Sequence, residues 1–86
     1  MVTIKHFTAS WCQPCKKLTP IIKNIVSSNS GINYQIVDVD ENPTIAQQHG
    51  VISVPFIVFE KNGIVLEQVL GLMPKSYYEN ILAKII

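Results

Sequence analysis

The sequence predicts an α/β domain ordered β-α-β-α-β-β-α, with a four-stranded mixed sheet flanked by three helices. Two observations carry that prediction. A long stretch of helical periodicity separates two β-rich segments, so the chain must cross over and return parallel. Further on, an Asn-Gly pair joins two more β-rich segments and marks a hairpin, whose strands run antiparallel. With 86 residues and 48% hydrophobic content, residues 1–86 have the material for one modest core and are read as a single domain.

The first strand is Val2 to Thr8, rich in β-branched and aromatic residues. After it, Leu18, Ile21, Ile22, Ile25 and Val26 recur at three- and four-residue spacing and form one apolar helical stripe. Pro20 falls inside that stripe, where it deletes a helical hydrogen bond and should bend the helix. Asn29-Ser30-Gly31 stops it, and Ile32 to Val39 reads as the second strand. A short helix lies between Asn42-Pro43, a cap followed by a first-turn proline, and the stop at Gly50. Phe56 to Phe59 and Ile64 to Leu70 are the hairpin strands, joined at Lys61-Asn62-Gly63. Pro74 opens a last helix whose buried stripe is Tyr78, Ile81, Leu82 and Ile85.

The chemistry lies between the first strand and the first helix. The two cysteines of the chain stand together in Trp11-Cys12-Gln13-Pro14-Cys15. Thiols at i and i+3 of a helix start meet on one side, within reach of a disulfide. Unpaired N–H groups and the positive end of the helix dipole stabilise a thiolate there, so Cys12 is the expected nucleophile. Cys15, one turn deeper, suits the resolving step, and Pro14 fits a first turn that needs no N–H from it. Lys16 and Lys17 either add positive charge near the thiolate or are solvated surface. A structural disulfide across so short a loop would add little stability. Zinc would require Cys12, Cys15, His6 and His49, but the histidines stand far apart and lack the paired spacing of zinc modules. No metal is expected. Asp38, Asp40 and Glu41 read as surface or cap carboxylates, without further ligands around them.

Formal net charge is +1, which creates no field that would draw the chain to nucleic acid or anionic membrane. Residues 1–7 include Lys5 and His6 and lack the apolar core of a secretory signal. The longest apolar stretch, Val51 to Phe59, is too short to span a bilayer. A soluble monomer in the cytoplasm is expected, where a cysteine pair more often cycles than stays oxidised.

Four features together resemble the thioredoxin family over nearly the whole chain: Trp11-Cys12-Gln13-Pro14-Cys15-Lys16; Pro20 within the first helix; Val54-Pro55 before the third strand; and Lys61-Asn62-Gly63 followed by Gly71. The resemblance implies a minimal thioredoxin-like fold, glutaredoxin-sized, that starts almost directly on the strand preceding the motif. It implies that Pro55 is a cis-proline facing the cysteines, which exposes the Val54 backbone for pairing with an extended substrate segment. By the same resemblance, protein disulfides are the substrates and lie in a shallow groove formed by Trp11, Val54, Pro55 and the Gly71 loop. Gly71 has the alternative reading of a bulge or strand end. Cys12 would form a mixed disulfide, Cys15 would release the reduced product, and a reductant such as a thioredoxin reductase would restore the dithiol. The redox-active disulfide is then the sole electron carrier, with no cofactor.

Three positions depart from the family pattern. Gln13-Pro14 replaces the usual Gly-Pro, and residues there influence the redox potential. His6 and Ile36 stand where the family has a buried aspartate and a lysine. His6 thus becomes a candidate proton acceptor for Cys15, against the alternative of a strand histidine with no catalytic task. Two other functions compete. A glutathione-coupled, glutaredoxin-like enzyme would usually carry proline directly after the first cysteine and Gly-Gly late in the chain, whereas this chain has Gly71-Leu72-Met73. A thioredoxin-like binding subunit would keep the fold with dispensable cysteines.

Overall fold

A computed structural model describes all 86 residues. The element order is β1 (Val2–Thr8), α1 (Gln13–Ser27), β2 (Ile32–Asp38), α2 (Pro43–Gln48), β3 (Phe56–Lys61), β4 (Ile64–Leu70) and α3 (Lys75–Ile85). The sheet runs β2-β1-β3-β4. β1 pairs with β2 in parallel and with β3 antiparallel, and β3 and β4 form the antiparallel hairpin. The expected mixed sheet is therefore the one observed.

Alternation along β1 divides the core in two. Val2 and Ile4 join Leu18, Ile22 and Ile25 of α1, Ile57 and Phe59 of β3, and Tyr78, Ile81 and Leu82 of α3 in the larger cluster. Phe7, Val37 and Val58 pack with Ala46 of α2 in the smaller one. Since successive strand residues point to opposite faces, α1 and α3 cover one side of the sheet and α2 the other. Eleven residues in the larger cluster and four in the smaller place most of the apolar burial, and hence most of the driving force, under α1 and α3.

Local departures from the expected boundaries have physical causes. β3 continues two residues past Phe59 because a register shift between Phe59 and Glu60 restores pairing, Glu60 with Val65 and Lys61 with Ile64. That leaves a two-residue turn at Asn62 and Gly63, whose φ values of 54° and 83° are both positive. Such a turn matches the strand twist and explains the Asn-Gly pair. Asn42 does not cap α2 through its side chain. Its Nδ2 donates instead to the Asp38 carbonyl at 3.1 Å, while Asp38 Oδ1 accepts the N–H groups of Asp40 and Glu41. The carboxylate thus organises the β2–α2 connection. α1 runs through Pro20 without a break, with the proline on its exposed side.

Candidate active site

Cys12 is the N-cap of α1, with extended φ/ψ of −93° and 106°, and Pro14 occupies the first turn. Cys12 and Cys15 are joined in a disulfide across a Cα–Cα distance of 5.3 Å. Cys12 Sγ also accepts the Cys15 N–H at 3.2 Å, so sulfur takes the capping role that Ser or Asp ordinarily fills. The helix start directs the unpaired Cys15 N–H at this sulfur, and no acidic residue in the first turn opposes the dipole. Both cysteines are buried in this oxidised form, Cys15 completely, with Ala9 in the same cluster and Val39 and Val54 packed against it.

The Val54-Pro55 peptide bond is cis, as the resemblance implied. Val54 packs against the disulfide cluster, and the buried Pro55 gives its carbonyl to the Gly71 N–H at 2.8 Å. Gly71 adopts φ 90°, a left-handed conformation that side chains rarely take. The loop after β4 is thereby tied to the segment beside the cysteines. Next to it, Trp11, Val39, Val51, Ile52, Ser53 and Val54 line a shallow pocket of about 120 Å³. Trp11 is 67% and Ile52 91% exposed, which leaves a sizeable apolar rim in water. Trp11 Nε1 donates to Asp40 Oδ2 at 2.9 Å, so the indole is held in place while its face stays open. Of the four residues expected to form the groove, Trp11 and Val54 line the pocket. Pro55 and Gly71 are not among the lining residues and form a hydrogen-bonded pair.

His6 is fully buried in β1, opposite Ile36 of β2, while Ile36 itself is about half exposed. His6 Nδ1 lies 2.9 Å from the Tyr34 hydroxyl, with the two rings stacked. His6 Nε2 is a buried side-chain nitrogen with no hydrogen-bond partner. Burial lowers the His6 pKa from 6.5 to about 4, because the imidazolium loses its hydration. The ring is therefore neutral at pH 7. Burial likewise pushes Tyr34 up to about 12, so the pair is uncharged.

Three polar arrangements are absent from the expectations above. Lys5 and Glu60 form an ion pair at 3.0 Å on the α2 side of the sheet, and His49 Nε2 lies 3.3 Å from Lys5 Nζ. The signal for it was a single acid, Glu60, closing the apolar run Phe56 to Phe59. Tyr34 partners His6 from the adjacent strand, a contact that register alone determines. Asp40 anchors Trp11, although in sequence it stands 29 residues away and resembles any surface carboxylate.

Comparison with known proteins agrees with this geometry. The family model for thioredoxin matches residues 2–84. Thioredoxin of Porphyra purpurea is 37% identical over 81 residues, covering 93% of this chain and 76% of that one. Thioredoxin of Staphylococcus saprophyticus is 33% identical over 84 residues, covering 96% and 81%. Among solved structures, a point mutant of thioredoxin from Halobacterium salinarum superposes with a TM-score of 0.89 at 30% identity, over 96% of this chain and 73% of that chain.

Proposed function

Since this chain belongs to the thioredoxin family and is a thiol-disulfide oxidoreductase, we propose that it reduces protein disulfides through a mixed disulfide on Cys12 that Cys15 resolves. The observation that carries the assignment is the placing of Cys12 Sγ at the helix N-cap, accepting the Cys15 N–H. In the reduced protein the same N–H and the helix dipole favour a Cys12 thiolate. That thiolate attacks one sulfur of the substrate disulfide and expels the other as a substrate thiolate. Cys15 then loses its proton and attacks Cys12 Sγ, the Cys12–substrate bond breaks, and the second substrate thiolate leaves. Two electrons pass to the substrate, and the Cys12–Cys15 disulfide is the product.

His6 receives the proton of Cys15 in this reading. Its support is positional: β1 carries His6 on the α1 side of the sheet, beyond Ile4, and α1 carries Cys15 on its buried side, one turn before Leu18. The unpartnered Nε2 is the atom free to accept. With a pKa of about 4, His6 passes the proton on rather than keeping it.

Substrate segments dock along Trp11, Ile52 and Val54, with backbone pairing at Val54 supplying affinity without strong sequence preference. A thioredoxin reductase restores the dithiol, the protein acts as a monomer, and the cytoplasm, where thiols are kept reduced, is the compartment that suits the cycle. The test is entrapment. Cys15→Ser, incubated with a disulfide-bonded protein, should accumulate a covalent adduct mapped to Cys12 by mass spectrometry, and Cys12→Ser should accumulate none. An adduct on Cys15 in Cys12→Ser, formed as fast, would reverse the assignment.

A further inference from the structure

The Tyr78 ring fills the larger core, where any large apolar side chain on that stripe of α3 would serve. Its hydroxyl does something a phenylalanine could not. It donates to the Gly71 carbonyl at 3.2 Å and accepts the Met73 N–H at 3.0 Å. The two bonds bridge the ends of the Gly71-Leu72-Met73 turn from inside the protein. A buried hydroxyl with both its donor and an acceptor site in use fixes a turn more firmly than exchangeable water does. Gly71 N–H is committed in turn to the Pro55 carbonyl at 2.8 Å. An unbroken chain of hydrogen bonds therefore runs from α3, through this turn, to the residue after Val54. Leu72, the middle of the turn, is pushed outward and is 40% exposed.

We infer that Tyr78 is a positioning residue, whose hydroxyl holds the Gly71–Met73 turn against the Val54-Pro55 segment and so presents Leu72 as an apolar contact for protein substrates. The inference rests on the reading that protein disulfides dock beside Val54. The hydroxyl bonds only to the turn, so its contribution is to docking, not to the sulfur chemistry. A low-molecular-weight disulfide, which needs only the sulfurs, should be indifferent to it.

The experiment compares single-turnover reduction of a protein disulfide with that of a small aromatic disulfide, using pre-reduced wild type, Tyr78→Phe and Leu72→Ser. Tyr78→Phe removes both hydroxyl bonds and should slow the protein disulfide by about fivefold, a cost of the size of one net hydrogen-bond contribution, and change the small disulfide by less than twofold. Leu72→Ser leaves both hydroxyl bonds in place and should show the same split. Equal slowing on both substrates in Tyr78→Phe means the hydroxyl serves stability alone and overturns the inference, as does an unchanged protein-disulfide rate in either variant. If Tyr78→Phe does not fold, Leu72→Ser still tests the contact that Tyr78 is inferred to present, and an equal response on both substrates there overturns the inference. Failure of the underlying reading is separately visible, because Cys15→Ser would then trap no adduct.

Discussion

His6 should make the fold acid-labile, by an amount the structure allows to be worked out. Its pKa falls from 6.5 to about 4 on folding, through burial. Above pH 6.5 the imidazole is neutral in both states and the contribution is fully present. As pH drops from 6.5 to 4, the unfolded chain takes up a proton that the folded protein refuses, and stability is lost. Below 4 both states are protonated and the loss levels off. At 1.36 kcal/mol per pKa unit the total is about 3 kcal/mol, a large share of the roughly 4 to 13 kcal/mol expected of a domain this size. The perturbation is His6→Leu, which removes the titrating group and keeps apolar volume in β1. Urea unfolding followed by circular dichroism between pH 7 and pH 4 is the assay. Every group other than His6 is common to both proteins and cancels in the difference, so wild type should lose about 3 kcal/mol more than His6→Leu over this interval. Parallel curves would refute the reasoning, and would mean that the buried ring accepts a proton by finding a partner for Nε2.

Two further outcomes follow from polar contacts the sequence concealed. Lys5 and Glu60 should couple by about 1 kcal/mol in a double-mutant cycle of Lys5→Met and Glu60→Gln, since the pair is largely buried yet Lys5 keeps some access to water; additive effects on urea stability would show that the pair contributes nothing. Asp40→Ala frees the Trp11 indole and should slow reduction of a protein disulfide about twofold while stability stays within about 0.5 kcal/mol; an unchanged rate would mean the indole needs no anchor.

Most of the architecture was readable because it depends on periodicity and turn chemistry, which are local. The stripe Leu18, Ile22, Ile25 and the Asn62-Gly63 turn each determine an element and its direction, and together they leave little freedom in the sheet. The end of β3 was not readable. A bulge at Phe59/Glu60 is set by how two strands twist against each other, and nothing in Phe56 to Lys61 announces it. The same division holds at the site. Cys12, Cys15 and Pro14 declare themselves through spacing, and Val54-Pro55 only through the family resemblance. Tyr34 against His6 and Asp40 against Trp11 are contacts between elements, determined by register and loop path. Tyr78 misleads in a different way: its position in an apolar stripe is a complete explanation of the ring and says nothing of the hydroxyl.

The two ends of the sheet have different tasks, and topology explains why. β1 and β2 are parallel and finish together at Thr8 and Asp38, whereas antiparallel β3 begins there, at Phe56, and β4 ends there, at Leu70. Every connection at that end therefore lies beside the cysteines: the loop into α1, the Asp38 turn with the Asp40 anchor, Val54-Pro55 and Gly71–Met73. At the opposite end the Met1 ammonium donates to Asn62, and Lys61 Nζ donates to the Ile85 carbonyl. Those contacts tie the first and last residues to the hairpin. A redox pair must meet a bulky partner and then release it, which needs loops that present backbone and apolar surface without being the fold's own cement. Tyr78 reconciles the two demands, since it buries its ring in the core that holds α3 down and reaches out with one oxygen to shape a loop at the working end.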